Sequence, residues 1–264
     1  FAIVKSFDLY NILKKSLKKN KFFKGNNLKS LTNIQKKYDL IINLNFSNLI
    51  TKKYFAKKII KKYKSLAYTV ILKHEKINNN TASQIFTNIG PLAFLPTSNV
   101  ETSIVYSIKN DSNIKQEKLI ELINLYNPKY KIKKINKISS FELLSINLRN
   151  YYYKNILAFG DLLHKIHPLA GQGFNMTIRD IRFLIDLIKN KISLGLPIDQ
   201  SICIEFEKKM RHKNFVFTTG VDLVYELFNF ERKLNRDLLT KSIQKFGKNP
   251  SFNKILTKIA DSGI

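Results

Sequence analysis

The apolar positions of this chain change rhythm several times along its length. Over residues 6 to 24, Leu9, Ile12, Leu13 and Leu17 recur at helical spacing among lysines, which predicts an amphipathic helix. Tyr38-Asp39-Leu40-Ile41-Ile42-Asn43-Leu44 is then a near-continuous apolar run of strand length, the pattern of a strand buried on both faces. From residue 51 to 63 lysines dominate, from Lys52-Lys53 to Lys61-Lys62, and the stretch reads as a solvated helix or loop face. Beyond it, short apolar runs alternate with polar turns. Ala67 to His74, Ile85 to Thr87, Ala93 to Leu95 and Ser103 to Ile108 read as strands. Leu119, Leu122, Ile123 and Tyr126 mark one face of a helix over Lys115 to Tyr126. A lysine-rich connection leads to a further strand, Ile156-Leu157-Ala158-Phe159. Ile178, Ile181, Leu184, Ile185 and Ile188 give the next helix its apolar face, and residues 200 to 264 read as mostly helical. A β-rich block, about residues 50 to 140, is thus inserted between two α/β pieces.

Composition narrows the class. A chain of 264 residues with 44% apolar residues is long enough and apolar enough to bury a sizeable core. A single cysteine, Cys203, rules out an intramolecular disulfide and fits a reducing compartment. It reads as a bystander rather than a nucleophile. No apolar run approaches a membrane span, and no signal peptide is visible. The chain begins at Phe1, which suggests a fragment of a longer protein. A formal charge of +27 raises nucleic acid as a partner, but only six of the 46 basic residues are arginine. Arginine is the side chain suited to bidentate recognition of bases and phosphates. Lysine, asparagine and isoleucine enrichment together point to coding bias, so nucleic acid is not expected. Attraction to an anionic membrane survives this argument.

The candidate chemistry lies in Gly160-Asp161-Leu-Leu-His164-Lys-Ile-His167-Pro168-Leu-Ala170-Gly171-Gln172-Gly173-Phe174-Asn175. Three of the chain's nine glycines fall in this run, directly after a predicted strand and before a helical pattern. A glycine-rich turn between a strand tip and a helix start places backbone N–H groups against a ligand. Asp161 is either an acceptor for ligand hydroxyls or the N-cap of a short helix, and spacing alone does not choose. Gly171 and Gly173 let the backbone approach a ligand closely, and the helix beginning near Phe174 or Asn175 presents a positive dipole end. His164 and His167 are three apart but have no further His or Cys cluster around them, so packing and hydrogen bonding outweigh a metal role. His74 and His212 read as structural.

The run resembles the second flavin fingerprint of class A flavin-dependent aromatic hydroxylases, and its His-Pro-Leu-Ala-Gly-Gln-Gly form is most similar to the branch acting on ubiquinone precursors (2-polyprenylphenol hydroxylases). The segment Asn79-Asn80-Thr81-Ala82 through Phe86 to Gly90-Pro91-Leu92-Ala93-Phe94-Leu95-Pro96 is similar to another stretch of that branch. As bare sequence its end is a turn followed by an edge strand. A third, weaker likeness is the helical pattern from Tyr225 to Ile264. The resemblance implies an α/β fold: an incomplete Rossmann-like FAD-binding domain, an inserted mixed β-sheet substrate domain and C-terminal helices. Its implied divisions are residues 1–50 and 141–200 for the FAD-binding domain, 51–140 for the substrate sheet and 201–264 for the helical region. It implies that Gly160, Asp161, Pro168, Ala170, Gly171, Gln172, Gly173, Phe174 and Asn175 hold FAD, that Asp161 meets the ribityl chain, and that Phe86 and Pro91 line the ring pocket. It places Arg211 and Asn214 at a structural Arg-x-x-Asn position. The implied reaction is hydroxylation of a polyprenylated phenol with NAD(P)H and O₂. The implied setting is cytoplasmic, in peripheral contact with an anionic inner membrane and with a ubiquinone-biosynthesis complex. No catalytic side chain and no metal ligand is expected.

Two departures stand out. No G-x-G-x-x-G precedes the Tyr38 strand, so the first βαβ unit that grips the ADP half of FAD in the family is missing from this chain. The family's Asp-Gly motif falls at Leu44-Asn45-Phe46-Ser47, where Asn45 lacks a charge and Phe46 lacks glycine's backbone freedom. Both leave room for a non-catalytic binding or assembly subunit.

Overall fold

The computed structural model describes residues 3–25, 34–109, 114–167 and 171–234, with positions 250 and 254. In chain order the elements are α1 (Ser6–Lys19), α2 (Ile34–Lys37), β1 (Ile41–Asn43), α3 (Leu49–Tyr54), β2 (Lys58–His74), β3 (Ser83–Thr87), β4 (Gly90–Ser98), β5 (Glu101–Lys109), α4 (Gln116–Leu125), β6 (Ile132–Ile135), β7 (Ser139–Leu148), β8 (Tyr152–Tyr153), β9 (Ile156–Ala158), a 3-10 turn (Gly160–Leu162), β10 (His164–Lys165), α5 (Gln172–Ser193) and α6 (Gln200–Leu234). They form two compact units, Phe1–Lys29 with Lys64–Leu143 and Ser30–Tyr63 with Leu144–Ile264. The divisions therefore fall inside β2 and β7, and residues 1–29 group with the sheet.

In the first unit the sheet runs β7-β2-β5-β4-β3, with β6 also on β2. Antiparallel pairing holds β2 to β5 over nine residues, from Ser65↔Lys109 to Lys73↔Glu101. Alternation sends Leu72, Leu92, Phe94, Ile104 and Tyr106 to one face, where Leu119 and Ile123 of α4 close over them. These helical positions are four apart, as one buried stripe requires. Three expectations are corrected. Residues 58–63 are strand, not a solvated helix or loop face. The lysine-rich connection contains β6, β7 and β8. The segment from Gly90 is not an edge strand, since β4 pairs with both β3 and β5 and the edge falls to β3. Pro91 fits because it faces Phe86 on β3, while pairing with β5 begins one residue later at Leu92↔Tyr106. Gly90 is required by close approach: a Cβ there would lie 1.7 Å from the Ser107 carbonyl oxygen.

In the second unit β1 and β9 are parallel neighbours, with Ile41↔Ile156, Ile42↔Leu157 and Asn43↔Ala158 in register, and β8 flanks β9 antiparallel. Every residue of β9 is buried, which is why its sequence is uninterrupted by polar residues. The strand of seven residues expected from Tyr38 is regular only over Ile41–Asn43. Beneath the sheet, Leu184 of α5 and Ile202, Cys203, Phe206 and Met210 of α6 pack with Ile156, Leu157 and Phe159. Cys203 is wholly buried, and burial pushes its thiol up to about 12, so it is an inert core residue as expected. The α/β class and the C-terminal helix are as anticipated, while the sheet expected to be mixed is antiparallel in its pairings among β2, β3, β4, β5 and β6. The C-terminal pattern beyond Leu234 lies outside the described residues, apart from two isolated positions.

Candidate functional site

The fingerprint run begins where β9 ends. Phe159 donates its N–H to the Asn43 carbonyl at 2.9 Å, the last rung beside the β1 tip. The chain then turns at Gly160, whose φ is +62°, a left-handed conformation that side chains resist. Leu163 N–H closes the turn on the Gly160 carbonyl at 2.9 Å, and Leu148 N–H bonds the Leu163 carbonyl at 3.1 Å. Asp161 lies inside the turn, whose N-cap is Phe159, so the capping alternative for Asp161 falls away. Its side chain is exposed. The site thus has a carboxylate facing outward at the carboxyl end of a parallel strand pair, where open α/β sheets bind ligands.

The run resumes at Gly171, which is exposed, has φ +64° and ψ 21°, and caps α5. Helix α5 starts at Gln172, two to three residues earlier than the pattern suggested, and its N-cap supplies no side-chain hydrogen bond. Gly173 lies within the helix, and a Cβ there would meet only Ile166 at 3.8 Å. Phe174 is 58% exposed, and Asn175 donates to the Gln172 side chain at 3.1 Å. The first turn therefore carries a positive dipole end on an exposed surface. Pro168 and Ala170 lie outside the described residues. Phe86 and Pro91 belong to the other unit, where Phe86 is partly exposed and Pro91 buried.

Below this surface lies a polar cluster that sequence reading missed. His164 Nε2 and Asp180 Oδ2 are 2.7 Å apart, both side chains fully buried. Arg179 donates to Asp180 Oδ1 at 3.2 Å, and Asn214 on α6 donates to Asp180 Oδ2 at 3.4 Å. Arg179 also donates to the side-chain amide oxygen (Oδ1) of Asn214. Asp180 thereby ties the fingerprint helix to β10 and to α6. The available signal was its position: Met176, Asp180 and Leu184 are the buried residues of α5, so a carboxylate stands in an apolar stripe. His164 is committed to Asp180, which accounts for its place without a metal. Asn214 has the structural role expected of it, while Arg211 pairs with Glu207 at 3.1 Å.

A second buried group surrounds His167. The His167 ring stands edge-on to Tyr63 at 4.8 Å and tilted against Tyr225 at 4.4 Å. Tyr63 donates its hydroxyl to Asp222, and Lys61 sits 3.5 Å from Asp222 and 3.0 Å from Glu226. Burial, and then the Lys61 charge, push His167 down to about 4, so it is neutral near pH 7. Burial and the Asp222 carboxylate push the Tyr63 phenol well above its ordinary value.

The β1 tip is built differently. Asn45 Oδ1 accepts from Ser47 N at 2.8 Å and Asn48 N at 3.0 Å, a tight side-chain-to-backbone turn. Asn48 caps α3 by accepting from Thr51 N at 2.8 Å and donates to Asn43 at 2.7 Å, while Asn43 donates to Thr51 Oγ1 at 2.8 Å. Asn45 is thus occupied with its own loop. A separate cleft of about 670 Å³, lined by Tyr151, Arg149, Arg211, Ile59, Ile204 and Phe215 among others, includes no fingerprint residue.

No protein-family model matches the chain. By sequence it is similar to the 3-demethoxyubiquinol 3-hydroxylase of Escherichia coli, 30% identical over 154 residues covering 55% of this chain and 39% of that protein. By structure it is similar to p-nitrophenol 4-monooxygenase PnpA of Pseudomonas putida, with a TM-score of 0.66 at 11% identity over 85% of this chain and 59% of the other. It also resembles CmlS, a flavin-dependent halogenase, with a TM-score of 0.53 at 11% identity over 69% of this chain and 38% of the other. The chain spans less than half the length of the curated relatives it matches. Sequence relatives that are ubiquinone hydroxylases and the fold of flavin-dependent hydroxylases bear out the resemblance read from the fingerprint.

Proposed function

We propose that this relative of the ubiquinone hydroxylases is the flavin-ring side of an FAD-dependent monooxygenase that uses NAD(P)H and O₂ to hydroxylate a polyprenylated phenol. The observation that carries the reading is the β9 tip. Among the described residues of the run both left-handed positions are glycine, an exposed carboxylate stands between them, and an exposed helix start follows. These residues fit the ring and ribityl portion of a flavin. Asp161 would accept hydrogen bonds from ribityl hydroxyls. Gly171 and Gly173 would admit the cofactor close to the backbone, and the start of α5 at Gln172 to Asn175 would favour negative charge on the ring. Pro168 and Ala170 are proposed to complete that wall, with Phe86 and Pro91 lining the substrate pocket. When bound, the flavin supplies hydride acceptance and oxygen activation. Asp180, through His164 and Asn214, keeps the helix start in place. The described residues offer no corresponding cradle for the adenylate half.

A lipid-borne phenol implies peripheral contact with an anionic inner membrane from the cytoplasmic side, and a ubiquinone-biosynthesis complex is a fitting partner. A second reading, a non-catalytic binding or assembly subunit, is favoured by Asn45, an uncharged residue engaged in its own loop. Titration of FAD with the purified protein, followed by flavin fluorescence, tests the site. Quenching that Asp161→Ala weakens supports it, and no quenching at any protein concentration overturns it. NAD(P)H consumption that depends on the phenol then separates the enzyme from the subunit.

A further inference from the structure

We propose that α1 is an interfacial helix that lays its apolar face on an anionic lipid surface. The inference rests on the reading that the chain serves a lipid-borne phenol, and it names the element that makes the contact. Helix α1 has no buried residue. Leu9, Leu13 and Leu17 follow one another at four-residue spacing along one face, with Tyr10 and Ile12 beside them. Ile12 is 65% exposed, Leu13 53% and Leu17 48%. A helix on a globular protein ordinarily turns such a stripe to the core. Here Tyr10, Ile12, Leu13 and Leu17 face outward and Leu9 is half-buried, while Lys5, just before the helix, is paired with Glu101 of β5 at 2.6 Å.

Lys14 flanks this face over the Tyr10 ring, Lys15, Lys18 and Lys19 lie on the opposite side, and the chain continues through Lys21, Phe22, Phe23 and Lys24. Phe22 is 82% exposed. Against these six lysines residues 6 to 24 set one acid, Asp8. Exposed leucine and phenylalanine framed by lysine match a surface that is apolar below and negative above, which is an anionic bilayer. At roughly 1.5 Å per residue, α1 is too short to cross a membrane, so it lies in the interface. Among the described residues no helix is long and apolar enough to cross.

The test is co-sedimentation of the full chain with vesicles of phosphatidylcholine alone, or of phosphatidylcholine and phosphatidylglycerol in equal parts, without flavin or substrate. We expect binding only to the anionic vesicles. L13E/L17E should lower the partition by about tenfold or more, and K14A/K15A/K18A by roughly fivefold per lysine. K133A/K134A/K137A, the same charge removed from an exposed part of the sheet unit, should retain most of the binding. The chain has no tryptophan, so Leu13→Trp gives a local probe whose emission should shift to the blue on anionic vesicles. Unchanged circular dichroism confirms that each variant folds. The proposal is overturned if wild type ignores anionic vesicles, if L13E/L17E binds them as wild type does, or if the control triple loses as much as the α1 triple. It is also overturned if L13E/L17E changes the oligomeric state alone, which would assign the face to a second copy. None of these outcomes touches the flavin titration, so the two readings fail separately.

Discussion

Two strand tips stand side by side in this protein and are finished in opposite ways. Strands β1 and β9 are parallel and in register to Asn43↔Ala158, so the chain leaves both at the same end of the sheet. After β1, four polar side chains, Asn43, Asn45, Asn48 and Thr51, consume one another and the local backbone. After β9, glycines make the turns and the polar side chains stay outside or go deep. The first loop is self-sufficient, and the second presents an exposed carboxylate and helix start. Where side chains satisfy the backbone a loop closes. Where glycine shapes it, the surface stays available and its support must come from beneath.

That contrast can be broken most forcefully at the support. Asp180→Ala would leave His164 and Arg179 facing an emptied centre, and loss of one partner from such a buried pair costs about 3–5 kcal/mol. Urea denaturation should show this loss, whereas near wild-type stability would mean that the open tip stands without it. A gentler lever is acid. His167 is neutral in the folded chain down to about pH 4, while an unfolded imidazole takes a proton near 6.5. Between those values the unfolded state binds more protons, so stability is full above about pH 6.5 and falls as pH drops towards 4. A shift of that size is worth about 3 kcal/mol. Denaturation at steps across the interval should show the slope, and His167→Phe should flatten it.

The two glycines of the open tip sharpen the comparison. Gly171→Val forces a branched side chain into φ +64° and should cost about 1–2 kcal/mol while weakening flavin binding. Gly173→Ala adds a methyl group to a helical residue with 3.8 Å of clearance, and should change stability by less than about 1 kcal/mol, in the stabilising direction. Equal effects from both would remove the distinction. The closed tip should answer least. Asn45→Ala should lose about 1 kcal/mol in thermal unfolding, as a removed side-chain hydrogen bond does, and Asn45→Asp should lose almost nothing because a carboxylate can accept the same N–H groups.

The open tip was legible because its cues are local: an apolar strand, scarce glycines clustered together, and a helical period after them. The core of the sheet was legible for the same reason, since Leu72, Ile104 and Tyr106 fall in short apolar runs bounded by polar turns. What escaped depends on distant partners. The first four residues of β7 are exposed, so no period marks its start. Lys58 to Lys62 looked like a solvated face because the lysine pairs Lys57-Lys58 and Lys61-Lys62 around Ile59-Ile60 show no period-two pattern that would mark a strand. Asp180 was passed over because its partners, His164 and Asn214, are 16 and 34 residues away and meet only in the fold.

Cys203 gives this arrangement a built-in clock. It is the chain's one thiol, shut among Phe206, Met210 and the β9 strand. A thiol so placed reacts with an alkylating reagent only while its surroundings part. The rate of its labelling in native buffer therefore counts the excursions of α6 away from the sheet, without an added label.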